Sequence, residues 1–355
     1  MPSIQVELTH IIKDCDEVSF FLPDSVDTFG NNNIVVADSG NDRICLLNSE
    51  GDTIKSIGGK GFGRYRFKEP VGVFVSPEQK AYVADWHNHR VVVYDESLNY
   101  VTEFGHYGRL DEAKSIIEKV LRFIRFASIL AYKGSYQKCH FSVASENEAR
   151  SKRYSLRLFL SSLSYWCHRN TSLASSVRMI ISTYDAIDKP NGVAFYRDRI
   201  LVSQKNSRCL TFYKNDQDTE TIKPQTNYFG PSDDLRFGRL GNVACDSKGF
   251  VYVCDERNHI IWKLDTNLKL TCTITGQDSG VGDFLPFSCC FISDDIMAVC
   301  GGLNFQMIDL NTNQAVYYSE VIGELHGIAY NKKLKRLYLT DRSHSVVKVY
   351  NVKVT

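Results

Sequence analysis

Side chains able to do chemistry fall into two groups in this chain. Arg64, Tyr65, Arg66 and Lys68 crowd into one short stretch, and Trp86, His87, His89, Lys205, Arg257 and Arg342 occupy short polar segments farther along. Cations with aromatic neighbours suit an anionic partner, because phosphates need cationic side chains and unpaired bases stack on rings or guanidinium planes. The same residue types also occur in ordinary solvated loops. Asp24, Asn191 and His326 carry metal-binding donors at the starts of apolar runs, alternating there with Val71, Gly241 and Phe287. Three donors in six positions make a thin ligand set. Cys139-His140 and Cys167-His168 add donors of zinc type, but adjacent residues rarely reach one ion together, and the usual paired two-to-four-residue spacing is missing. No Gly-x-Ser-x-Gly, phosphate-loop or dinucleotide motif is found at a strand-to-helix junction, so catalysis has no motif behind it.

The elements that must position these residues repeat. Asp38-Ser-Gly-Asn41-Asp-Arg43 returns as Asp85-Trp-His-Asn88-His-Arg90, as Ser203-Gln-Lys-Asn206-Ser-Arg208 and as Asp255-Glu-Arg-Asn258, with a further Asp341 near the end. Each copy lies between two short apolar runs. An earlier run (Val71 to Val75, Asn191 to Phe195, Gly241 to Cys245, His326 to Tyr330) precedes each unit, and a fourth often ends in Gly, as at Gly105 and Gly276. Alternating β-branched and aromatic runs of this length predict strands, and the Gly, Asn and Asp clusters between them predict turns. Four strands per unit and six units predict an all-β, six-bladed β-propeller. The recurring Asp, Asn and Arg are read as structural, since Asp and Asn bond backbone amides in tight turns. The sixth unit has three strands, and Ile4 to His10 is expected to supply the fourth, removing two open sheet edges.

The pattern Pro-x-Gly-Val-x-Val, then Val-x-Asp-x-x-Asn-x-Arg-Val, then a Gly-ended strand resembles the NHL repeat, with Lys68 to Gly105 as the closest copy. The resemblance covers residues 20 to 108 and 187 to 355. It implies a propeller that binds protein or RNA, often behind a RING finger, B-box and coiled coil in tripartite-motif ligases; none of those companions is in this sequence. A recognition role in a ubiquitin-ligase system is therefore an expectation of the resemblance alone. Lactonase-like and amidating-lyase-like propellers hold a metal at the channel mouth, which gives Asp24, Asn191 and His326 their enzymatic alternative.

The composition, 43% apolar and 12% aromatic with net charge +1, fits a globular protein. No apolar run approaches the length of a membrane span, and Met1 to His10 does not look like a signal peptide. The eleven cysteines mostly fall in predicted strands and read as small buried residues of a reducing, cytoplasmic setting. Charge is uneven: residues 109–182 hold 13 Lys or Arg against 5 Asp or Glu, leaving 29 against 36 elsewhere. That stretch also breaks the repeat. The chain thus divides into 1–108 (closing strand and two blades), a basic insertion at 109–186 with expected helices at Asp111 to Ala131 and Tyr154 to Trp166, and 187–355 (four blades). Up-and-down strand order puts the Asp-x-x-Asn-x-Arg turns, the Gly58 to Lys68 loop and the insertion on one face. That face is the expected binding surface, for a protein ahead of single-stranded RNA, with no cofactor, membrane contact or small-molecule substrate.

Overall fold

The computed structural model describes residues 3–105, 187–216, 221–232, 235–279 and 284–354. The insertion, its two expected helices and both Cys-His pairs lie outside the described residues. What is described is almost entirely strand. In chain order come β1 (Ile4–Ile12), the short ribbon β2 (Asp14–Cys15) and β3 (Val18–Ser19), then β4 (Pro23–Thr28), β5 (Ile34–Asp38), β6 (Arg43–Leu47) and β7 (Thr53–Gly58). The second sheet is β8 (Pro70–Val75), β9 (Ala81–Asp85), β10 (Arg90–Tyr94) and β11 (Tyr100–Phe104). The third is β12 (Pro190–Tyr196), β13 (Arg199–Gln204), β14 (Cys209–Asp216) and β15 (Thr221–Tyr228). The fourth is β16 (Leu240–Cys245), β17 (Val251–Asp255), β18 (Ile260–Leu264) and β19 (Leu270–Thr275), followed by one helical turn, α1 (Gly276–Ser279). Last come β20 (Ser288–Phe291), β21 (Ile296–Asp309), β22 (Ala315–Asn331), β23 (Arg336–Asp341) and β24 (Val346–Val354).

Four sheets are four-stranded antiparallel meanders, consistent with a β-propeller. The last repeats differ: β21 and β22 run on without a break, giving one six-stranded sheet ordered β1-β24-β23-β22-β21-β20. The N-terminal strand lies antiparallel to the C-terminal one, from Ile4 opposite Val354 to Ile12 opposite Val347. The first strands touch in sequence, β4 on β8, β8 on β12, β12 on β16, β16 on β20, β20 on β22 and β22 back on β4.

Strand alternation explains why these runs are apolar on both faces. In β5, Val35 and Ala37 join a core with the second sheet, whereas Ile34 and Val36 join another with β23 and β24. Each middle strand is buried from both sides by neighbouring sheets, so its sequence reads as a continuous apolar run. Five such clusters separate successive sheets, and a sixth lies between the two halves of the six-stranded sheet. The inner strands approach closely enough to require small residues. A Cβ on Gly72 would lie 1.8 Å from the Asn191 carbonyl oxygen, and one on Gly192 or Gly327 would lie 2.7 Å from the next strand's Cα.

Candidate binding face

The repeated turn works through its first residue. Asp38 is fully buried, and its Oδ1 accepts the Phe21 amide at 2.7 Å while Oδ2 accepts Asn41 Nδ2 (2.8 Å) and Arg43 Nε (2.7 Å). Asp85 repeats this with the Lys68 amide (2.9 Å), Asn88 Nδ2 (2.8 Å) and Arg90 Nε (2.9 Å). Burial raises the Asp85 carboxyl above its ordinary pKa, against the lowering effect of those donors. In both turns a single 3-10 turn follows, Ser39–Asn41 and Trp86–Asn88, ended by a left-handed residue, Asp42 (φ 53°) and His89 (φ 56°). These left-handed residues reach the next sheet: Asp42 Oδ1 accepts the Glu69 amide at 2.7 Å, and His89 Nδ1 accepts the Lys189 amide at 3.3 Å. Burial lowers the His89 imidazole pKa, which keeps that nitrogen free to accept.

Later copies keep the acceptor and change the cation. Asp255 accepts the Gly238 amide, Asn258 Nδ2 and, in place of an arginine, Trp262 Nε1 at 2.9 Å. Asp341 is served by His344 and by Lys348 Nζ at 2.6 Å. The third copy is a correction to the sequence alignment. Gln204, not Ser203, stands opposite Pro190 and Cys209, as Asp85 stands opposite Pro70 and Arg90. Its Oε1 accepts the Asp188 amide at 2.7 Å, so an amide oxygen serves where a carboxylate does elsewhere. Asn206 and Arg208 are consequently out of register with Asn41 and Arg43. Asn206 bonds Asp188 instead (3.3 Å), and exposed Arg208 takes the left-handed position at φ 53°.

The guanidinium ends hold the loops ahead of the inner strands. Arg90, 1% exposed, donates through Nη2 to the Gly63 and Arg66 carbonyls (2.8 and 2.7 Å) and through Nη1 to Glu103 (2.7 Å). Asn88 adds the Gly61 carbonyl (2.8 Å), and Tyr94 OH the Arg64 carbonyl (2.5 Å). The backbone of residues 59–69 is thereby fixed while Lys60, Phe62, Arg64, Tyr65, Arg66 and Lys68 all stay exposed. Arg43 treats the preceding loop alike, donating to the carbonyls of Cys15 (3.1 Å) and Val18 (2.9 Å), with Asn41 on Ser19 (3.0 Å). Here the exposed residues are Lys13, Asp14, Asp16, Glu17, Val18, Ser19 and Phe21. Phe62 was not singled out in the sequence, although its place between glycines in Gly59-Lys-Gly61-Phe-Gly63 would have marked it as exposed. A Cβ on Gly59 would lie 2.4 Å from Arg66 Nη1. Nothing in the sequence marked residues 13–22 as the equivalent loop.

Trp86 is a platform rather than a free anchor. It is half-buried, Lys189 Nζ lies 4.0 Å above its ring, the His87 ring centroid is 4.8 Å away, and its buried indole nitrogen has no partner among the described residues. His87 Nε2 meets Glu69 at 2.7 Å. Lys205 is paired with Glu256 (2.8 Å), which also takes Arg239 (3.1 Å), and burial lowers the Lys205 pKa. Arg257 is exposed on the fourth turn. Among the three candidate metal ligands, Asp24 Oδ1 meets His326 Nδ1 at 3.0 Å and Arg342 Nη1 at 3.5 Å, and His326 Nε2 meets Glu324 at 3.2 Å. Asn191 gives its amide to the Leu240 carbonyl at 3.0 Å. The three candidate ligands thus engage protein groups, and no cluster of three or more His, Cys, Asp or Glu able to hold a metal occurs among the described residues.

The NHL repeat family model matches residues 67–94, the second copy of the turn with its flanking strands. No curated protein matches the sequence significantly. Among solved structures, the chain is similar to a structural genomics protein of unknown function from Bacteroides thetaiotaomicron VPI-5482 (12% identity, TM-score 0.57, covering 99% of this chain and 77% of that one). It is also similar to a streptogramin B lyase (9% identity, TM-score 0.50, covering 99% and 98%). Likeness at this identity concerns the fold alone.

Proposed function

We propose that this chain, an NHL-repeat β-propeller, is built as six blades and works as a non-catalytic module that binds a protein partner through its turn-bearing face. The closed ring of inner-strand contacts and the six apolar clusters support the blade count. The observation that carries the binding reading is where large apolar side chains are exposed. Phe21, Phe62, Tyr65, Phe229 and Leu235 are in loops of the turn-bearing face, with Val18 in the β2–β3 ribbon and Leu303 within the long strand β21. Loops at the opposite ends of the strands expose none of comparable size among the described residues. Those are instead closed by their own Asx side chains. Asn48 Oδ1 accepts two backbone amides at 2.9 Å, Asp95 two at 2.9 and 2.8 Å, and Asp265 two at 2.8 and 2.9 Å. Apolar side chains rimmed by charge on one face are a protein-recognition signature.

The test is retention of a defined set of proteins on the immobilised chain at moderate salt. Phe62→Asp with Phe229→Asp should abolish retention and Asn267→Ser on the opposite face should leave it unchanged; equal retention by both variants would remove the reading. A second reading, single-stranded RNA, is favoured by one observation, the exposed cations Lys60, Arg64, Arg66 and Lys68 around Tyr65. It requires affinity for an oligonucleotide that falls steeply with salt. A recognition role beside a ubiquitin ligase is carried by the repeat resemblance alone. No helix of the described residues is long and apolar enough to cross a membrane.

A further inference from the structure

We propose that the same face recognises a second copy of this chain, by reciprocal contact of the 13–22 loop of one molecule with the 59–69 loop of the other. Both loops are clamped to the turn behind them by the same device, an arginine and an asparagine donating to loop carbonyls. The residues just ahead of the two inner strands are tied equally to Asp38 and Asp85. The loops therefore stand in equivalent positions on neighbouring sheets. Their charges are opposite. Residues 13–22 expose Asp14, Asp16 and Glu17 against Lys13. Residues 59–69 expose Lys60, Arg64, Arg66 and Lys68, and the one acid there, Glu69, is engaged by His87. No ion pair within the described residues satisfies Arg64, Arg66, Asp14 or Glu17. Each loop also offers an exposed aromatic ring, Phe21 at 52% and Phe62 at 66%.

A partner that covers both loops must present a basic patch beside an acidic one at the same spacing. This chain does so by construction. A two-fold axis between the loops lays acid on base twice, with Phe21 of each molecule against Phe62 of the other, the self-complementarity that an isologous interface requires. A polyanion such as RNA would meet repulsion at residues 13–22, which is why the second copy is favoured over nucleic acid for this pair of loops. Self-association would cover part of the surface offered to another protein, so dilution would open it.

The experiment is sedimentation velocity on the full chain across concentration, at low and high salt. Wild type should form a dimer that dissociates as salt rises. Arg64→Glu with Arg66→Glu, and separately Asp14→Lys with Glu17→Lys, should each weaken the dimer roughly 100-fold or more. Mixing the two variants should restore a one-to-one heterodimer, because the reversed positions 64 and 66 of the first then face the reversed positions 14 and 17 of the second, and the other pair of loops keeps its native charges. Thermal unfolding of each variant checks that it is folded, and heterodimer formation is itself proof of folding. A wild-type monomer at all concentrations, or a dimer indifferent to both reversals, overturns the proposal. Either result leaves the hetero-partner reading untouched, because that reading is scored by retention of other proteins on the immobilised chain and not by self-association.

Discussion

The loops at residues 13–22 and 59–69 have a common skeleton and opposite decoration. In each, a buried Asp takes a loop amide, the Asn three residues on takes a loop carbonyl, and the Arg five residues on takes two more. What differs is everything that points to solvent, three acids in one and four cations in the other. The repeated Asp, Asn and Arg therefore hold a loop at a fixed height and leave its exposed residues free to vary. Architecture and recognition are carried by different atoms of one segment.

Removing a clamp should have the largest effect. Arg90→Ala leaves Asp85 buried without its cation, so a loss of ~3–5 kcal/mol in denaturant unfolding is expected, with faster amide exchange at residues 59–69. Arg43→Ala should act in the same sense on residues 13–22 but less strongly, because Arg43 is 9% exposed, against 1% for Arg90, and has no counterpart of Glu103. If Arg43→Ala proved the costlier, the two clamps would not be equivalent.

The inner strands behind the two loops, β4 and β8, are joined by Asp27, whose Oδ2 accepts the Val75 amide at 2.6 Å. Burial pushes this carboxyl up to about 6 from 3.8. A raised folded-state pKa means that the native protein binds more protons than the unfolded chain between pH ~4 and ~6, so stability falls as pH rises through that window and is flat above it. Relative to Asp27→Ser, wild type should lose up to ~2 kcal/mol across the window, with the Asp27 carboxyl carbon titrating near 6. An ordinary titration near 4 would remove the coupling.

Smaller effects separate skeleton from decoration. Gly59→Ala places a methyl at φ +102° against the Arg66 guanidinium and should cost ~1–2 kcal/mol. Arg64→Ala with Arg66→Ala, removing exposed charge with no ion-pair partner among the described residues and one cation–π contact of Arg64 with Tyr100, should cost less than ~1 kcal/mol. A larger loss from the charge variant than from the glycine one would mean that the decoration also supports the loop.

Much of the skeleton was legible in the chain, for a physical reason. Strand alternation, the polar turn and Gly72-type close contacts are local or strictly periodic, so they recur in sequence wherever they recur in space. The third copy was not legible, because Ser203 and Gln204 are both polar and only the pairing of Gln204 with Pro190 and Cys209 fixes which one faces the loop. The replacement of the arginine by Lys348 and Trp262, seven residues after their aspartates, was hidden for the same reason: two turns of chain alternation bring a different residue to the same point. Trp86 looked like a recognition anchor and is covered by Lys189, about a hundred residues distant in sequence.

By itself, then, the sequence determined the all-β repeat and, in the first, second and fourth copies, its phase and the turn aspartate and asparagine, since these depend on period-two burial and on side chains bonding their own neighbourhood. Only the tertiary structure decided that residues 13–22 and 59–69 are equivalent loops, that their backbones are fixed while their charges face outward, and that Asp24 and His326 are engaged with each other while Asn191 bonds the Leu240 carbonyl. Those relations join segments whose separation in sequence carries no information about their distance in space.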